Sequence, residues 1–211
     1  MTSTLHRILP LAGPVYAVLV FAADTTIGPF PDGEFPAARL PSWYAEHGSH
    51  VAVAGRLLGI AALCFAVFGV AVWERVRRSP APPALAAVVL VGAAVQTLVD
   101  GTVGGVYDLL GQFGAGPIDP AAVQSWHLAA AEYGMTAGAT LVLLGIAVGG
   151  IGYRAVPRWL GWAALLLAAA QFSPWGFLVS LVFLAFVAVA GVTLAVRPSL
   201  PAPDRIPEPV A

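Results

Sequence analysis

Apolar residues in this chain come in six long runs, separated by short breaks rich in glycine, proline and charge. The runs cover positions 8–27, 51–73, 84–107, 125–151, 158–173 and 176–196. A bilayer core of about 30 Å is crossed by about 20 helical residues at 1.5 Å each, so the runs predict membrane-spanning helices. The expected fold class is all-α, a polytopic bundle of six transmembrane helices over 1–198. A tail at 199–211 with four prolines is expected to be disordered.

The breaks carry their own signals. Pro10 and Pro14 open the first run, where a missing N–H is best tolerated. Positions 28–50 read as a long loop with a short interfacial turn at 42–50, where Trp43 and Tyr44 suit the headgroup level. Positions 108–124 read as a second loop. Val20-Phe21-Ala22 also fits a signal-peptide cleavage site, but the n-region before it is weak.

Composition agrees with the pattern. Of 211 residues, 59% are hydrophobic and 10% charged, against about 25% charged in a soluble domain. A net charge of −1 gives no basic patch for nucleic acid, so none is expected as a partner. All ten basic residues are arginines, and their placement sets an orientation. Arg7, Arg75, Arg77, Arg78, Arg154, Arg158, Arg197 and Arg205 fall on one side of the six runs, and only Arg39 on the other. By the positive-inside bias, both termini are cytoplasmic. Cys64, the only cysteine, excludes an internal disulfide and reads as a buried thiol.

The candidate chemistry lies inside the runs. Asp24 and Asp100 each stand 16 residues into an outward-running span, hence about 24 Å from the inner edge. Arg56 and Glu132 come a few residues inside the outer ends of their spans, and Gln171 lies near the end of the fifth. Counting thus predicts one polar layer in the outer leaflet. Gln96, Asp100, Gly104 and Tyr107 share a helical face, as do Glu132, Thr136 and Thr140. Gly134, Gly138, Gly145 and Gly149 form a packing seam on another side of the fourth span. In one reading the layer is a structural ion pair, with Arg56 neutralising Asp100 or Glu132. In the other it is a pocket, because three acids outnumber one arginine and intramembrane ionisable groups mark functional sites.

His47, His50 and His127 sit near the outer ends of spans, and imidazoles with a carboxylate would suit zinc. No His-Glu-x-x-His run supports this, and no metal or other cofactor is expected. Phosphate-cradling, nucleophile-elbow and haem-attachment motifs are absent. Arg56–Leu63 and Arg158–Leu165 share Arg-x-Leu-Gly-x-Ala-Ala-Leu on spans of opposite direction, the pattern of an inverted repeat.

Val156-Pro157-Arg158-Trp159-Leu160-Gly161-Trp162, leading into an apolar helix, resembles a segment of a bacterial six-helix membrane family of unknown function. In that family, Val-Pro-Arg-Trp-Leu opens the fifth helix. The third helix differs, with Gln96 and Asp100 where the family has Arg and Glu. The resemblance implies six helices and a bacterial cytoplasmic membrane, and no chemistry.

The function expected is an acidic, aromatic-lined pocket in the outer leaflet for a small lipophilic molecule. Asp100 and Glu132 are the candidate acids. Asp24, Arg56, Gln96, Tyr107, Trp126, His127, Tyr133, Gln171 and Trp175 are the candidate lining. If catalytic, the protein would be an acid-catalysed isomerase or cyclase of an isoprenoid-like substrate, since aromatic walls stabilise developing cations. The alternatives are a proton- or cation-coupled transporter and a non-catalytic membrane assembly protein. Partners expected are membrane lipids and the lipophilic substrate.

Overall fold

The computed structural model describes residues 7–28, 35–116, 119–132, 137–173 and 176–197. These residues are helical, with no strand among them. After a 3-10 turn at Leu9–Leu11 come α1 (Ala12–Ile27), α2 (Leu40–Arg77), α3 (Pro83–Phe113), α4 (Pro120–Glu132), α5 (Ala137–Ile151), α6 (Arg158–Ala170) and α7 (Gly176–Val196). Among the described residues, four helices are long and apolar enough to cross a membrane, at Leu9–Ile27, Ala37–Arg77, Pro83–Phe113 and Leu178–Val196. Of the six apolar runs, the first, second, third and sixth lie in these four helices. Among the described residues α5 and α6 are shorter apolar helices of 15 and 13 residues, about 22 and 20 Å, and positions 133–136 just before α5 lie outside the described residues.

The two loops expected at 28–50 and 108–124 differ most from the structure. The 38 residues of α2 make a helix of about 57 Å, because it starts at Leu40 rather than near 51. Pro41 does not prevent this, since it falls in the first turn. Packing explains the extension. Leu40 and Tyr44 are buried, Tyr44 lies against Gly114, and Gly48 meets the backbone of Gly111. The 31 residues of α3 extend to Phe113 and run antiparallel to α2 along the same seam. Gly55 and Gly104 meet further in, and Gly69 meets Ala93 further still. A Cβ on Gly104 would sit 2.7 Å from the Gly55 carbonyl oxygen, so only glycine permits this spacing.

Around this hairpin α1 packs on α2, α7 on α1, α5 on α3, and α6 on α5, with a lighter contact between α6 and α7 closing the ring. The interior holds Tyr16, Phe65, Phe68, Leu143, Ile146 and Phe183. The glycine seam of the fourth run faces α3, as Gly138 lies on Gln96 and Gly92, and Gly145 on Val89. A separate cluster of Ala23, Ile27, Leu40, Tyr44, Val51, Tyr107 and Leu110 closes the opposite end of the ring from the arginines.

The arginines gather at one end. Arg75 donates to the carbonyls of Leu194 (2.7 Å) and Arg197 (3.1 Å), tying α2 to the last turn of α7. Glu74 accepts from Arg77 (2.9 Å) and Arg78 (2.7 Å). The tail from 198 onward lies outside the described residues.

Candidate functional site

The buried polar centre joins three helices. Asp100 on α3 accepts from the Tyr16 hydroxyl of α1 at 3.2 Å and from the Gln96 amide at 2.8 Å. The Gln96 carbonyl oxygen accepts from the Ala139 backbone N–H of α5 at 2.9 Å. Exposure is 7% for Asp100 and 1% for both Gln96 and Tyr16. Four residues separate Gln96 and Asp100 on one helix face, so one amide spans both partners. The Tyr16 ring also leans on Phe65, with centroids 4.9 Å apart. Every heteroatom of the Asp100 carboxyl thus has a partner in a site closed by aromatic and alanine side chains.

Tyr16 is the member that sequence reasoning missed. It sits in an apolar run and offers no polar pattern of its own. The one available signal is that a buried tyrosine hydroxyl needs a partner. Gln96 and Asp100 were recognised on the correct face, and Tyr107 continues that face into the outer cluster.

The single polar layer is not what the helices assemble. Asp24 is exposed, and its neighbours Ala23 and Ile27 pack with Tyr107 and Leu110. Tyr16, not Asp24, lies beside Asp100, and Asp24 is eight residues further along α1, about 12 Å further from the arginine-rich end. Arg56 reaches neither Asp100 nor the ring interior. It pairs with Asp108 at 3.0 Å, with side chains 63% and 31% exposed. Asp108 is eight residues beyond Asp100 on α3, again about 12 Å further from the arginine-rich end. The glycine register of α2 against α3 imposes that pairing, since Gly55 packs on the backbone at Tyr107 and Asp108.

Gln171 follows the last turn of α6, and its buried amide nitrogen has no hydrogen-bond partner among the described residues. The antiparallel packing of Gly161 on Ala147 and Ile151 puts Gln171 at about the height of Ala139. Tyr133 and Trp175 lie outside the described residues, as do the side chains of His127 and Glu132. Among the described residues no cluster of three His, Cys, Asp or Glu forms a metal site. His47 instead stacks on Trp43, with centroids 4.7 Å apart and planes 7° apart.

Two hollows among the described residues lie elsewhere on α3. A groove of about 450 Å³ runs between α3 and α4. Leu98, Val99, Thr102, Val103 and Val106 form one wall, and Ser125, Trp126 and Ala129 the other. A second hollow of about 290 Å³ continues outward along Leu109, Leu110 and Phe113 to Gly114, and Trp126 borders both. At 100° per residue, the groove face is turned about a third of a circle from Asp100. Thr102 and Ser125 bond their own helix carbonyls at Leu98 (2.7 Å) and Ala121 (2.9 Å). Both hydroxyl protons are thus committed, and the groove offers mostly hydrocarbon walls, one indole and two hydroxyl oxygens that can still accept.

Fold and site together define a helical protein with several apolar, membrane-length helices, a closed buried carboxylate and a lateral apolar groove. No family model, curated protein or solved structure matches the chain.

Proposed function

We propose that this is an integral membrane protein that holds a small lipophilic molecule in the groove between α3 and α4. The observation that carries the reading is the groove itself, apolar, bordered by Trp126, and set on a membrane-length helix. Its mouth would face lipid, so a hydrocarbon chain would enter without crossing water. The walls bury apolar surface at about 25 cal/mol per Å². The pocket is thus kept from the expectation, but its lining moves from the acids to the valines of α3.

Binding fits the geometry better than isomerisation or cyclisation. A general acid has to reach the atom it protonates, and Asp100 is turned from the groove with both oxygens engaged. Asp100, Gln96 and Tyr16 are better suited to fixing the helices that shape the groove. The arginine asymmetry supports placing the Arg75 and Arg197 end in the cytoplasm. The resemblance at Val156–Trp162 supports a bacterial cytoplasmic membrane.

The test is solvent extraction of detergent-purified protein, followed by mass spectrometry of the extract. One lipophilic species at about one per chain, lost on Val103→Trp and kept on Asp100→Asn, is the expected result. Equal extracts from wild type and Val103→Trp would remove the reading.

A further inference from the structure

We infer that the exposed face of α6, with the turn before it, is a docking surface for an anionic phospholipid at the arginine-rich end. It is separate from the α3–α4 groove and does not depend on that groove being occupied.

Charge is the first observation. The carboxylate described at this end, Glu74, is already held by Arg77 and Arg78. Arg75 is committed to the carbonyls of α7. Arg154 and Arg158 are exposed, and neither has a carboxylate within ion-pair distance among the described residues. They leave an uncompensated positive patch that a phosphate would neutralise.

Rigidity is the second. The turn that carries Arg154 and leads into Arg158 at the start of α6 is pinned by Gly152 N–H to the Val148 carbonyl (3.0 Å) and Ala155 N–H to the Gly149 carbonyl (2.8 Å). Ala155 and Val156 beneath it are 3% and 4% exposed. The guanidiniums therefore project from a fixed base rather than a loose loop.

The order of residues along α6 is the third. Beyond Arg158, the exposed positions are Trp159 and Trp162, then Leu165, Leu166 and Ala169. Cation, then indoles, then aliphatic chains is the sequence of a phospholipid from phosphate through glycerol to acyl tail. A soluble anion would use the arginines but not the indoles and leucines, whereas a lipid uses all of them. Each arginine near the surface contributes about a fivefold gain in affinity for an anionic headgroup, so two give about 25-fold.

Native mass spectrometry of the full chain in mild detergent, with phosphatidylglycerol or phosphatidylcholine added, tests this. Wild type is expected to retain phosphatidylglycerol at least tenfold better than phosphatidylcholine. Arg154→Gln with Arg158→Gln should erase the preference, Arg154→Lys with Arg158→Lys should keep most of it, and Arg39→Gln at the other end should leave it intact. Equal retention of both lipids by wild type overturns the inference and needs no variant to fold. An unchanged preference in the double glutamine variant overturns it as well.

Discussion

Tyr16 and Asp100 are 84 residues apart in the chain and 3.2 Å apart in the fold, and both are almost fully buried. Their contact fixes α1 against α3 at a depth where no water competes. The Gln96 amide extends the tie to α5. Removing an acceptor here strands donors, which costs more than the bond itself is worth.

Asp100→Leu should therefore lower stability by about 2–6 kcal/mol, because both the Tyr16 hydroxyl and the Gln96 amide lose their acceptor at about 1–3 kcal/mol each. Asp100→Asn should cost much less, since its carbonyl still accepts from Gln96 and its amide can donate to the tyrosine oxygen. Thermal unfolding in detergent separates the two. Equal destabilisation by Leu and Asn would mean that charge, not hydrogen bonding, is what the site requires.

The network was half legible in the sequence. Gln96 and Asp100 stand four apart in an apolar run, and helical spacing alone puts them together. Tyr16 is not, because counting depth from the ends of the runs assumes that all helices enter at one level. On that assumption Asp100 matches Asp24 and Arg56 joins the layer. Real register is set by where backbones approach, at Gly55 with Gly104 and Gly48 with Gly111, and such pairings are invisible until the helices meet. Packing of the same kind turned 40–50 from an expected loop into helix. The glycine seam of α5 was readable, since small residues four and seven apart leave few alternatives to close packing.

The α2–α3 seam gives two neighbouring glycines opposite fates. A methyl at Gly104 meets the Gly55 carbonyl oxygen at 2.7 Å and the Gly59 nitrogen at 2.9 Å, both backbone atoms that cannot turn aside. Gly105 has nothing within 4 Å. Gly104→Ala should destabilise by about 1–3 kcal/mol through overpacking. Gly105→Ala should be neutral or stabilise by up to about 1 kcal/mol through helix propensity. Denaturant or thermal unfolding of the pair checks this, and similar effects at both positions would contradict the register.

Orientation can be read with single cysteines. In a Cys64→Ala background, Arg154→Cys at the arginine-rich end and Ser49→Cys on the far end of α2 are both exposed. If the arginine-rich end is cytoplasmic, a membrane-impermeant maleimide added to intact cells should label Cys at 49 and spare Cys at 154 until the cells are opened. Labelling of 154 from outside would reverse the proposed topology while leaving the helix packing untouched.

Filling the groove should separate ligand binding from the polar network. Val103 lines the 450 Å³ hollow, whereas Asp100 does not. A ligand present at a hundred times its Kd stabilises the folded state by about 2.7 kcal/mol, which at this chain length raises Tm by several degrees. Wild type and Asp100→Asn should both show that rise with the lipophile recovered from the purified protein, each from its own baseline. Val103→Trp occupies the space with its own indole, so its unliganded Tm should hold and the ligand should add nothing. Were Asp100→Asn to lose the rise while Val103→Trp kept it, the binding site would belong to the buried carboxylate and the groove would be a lipid-facing crevice.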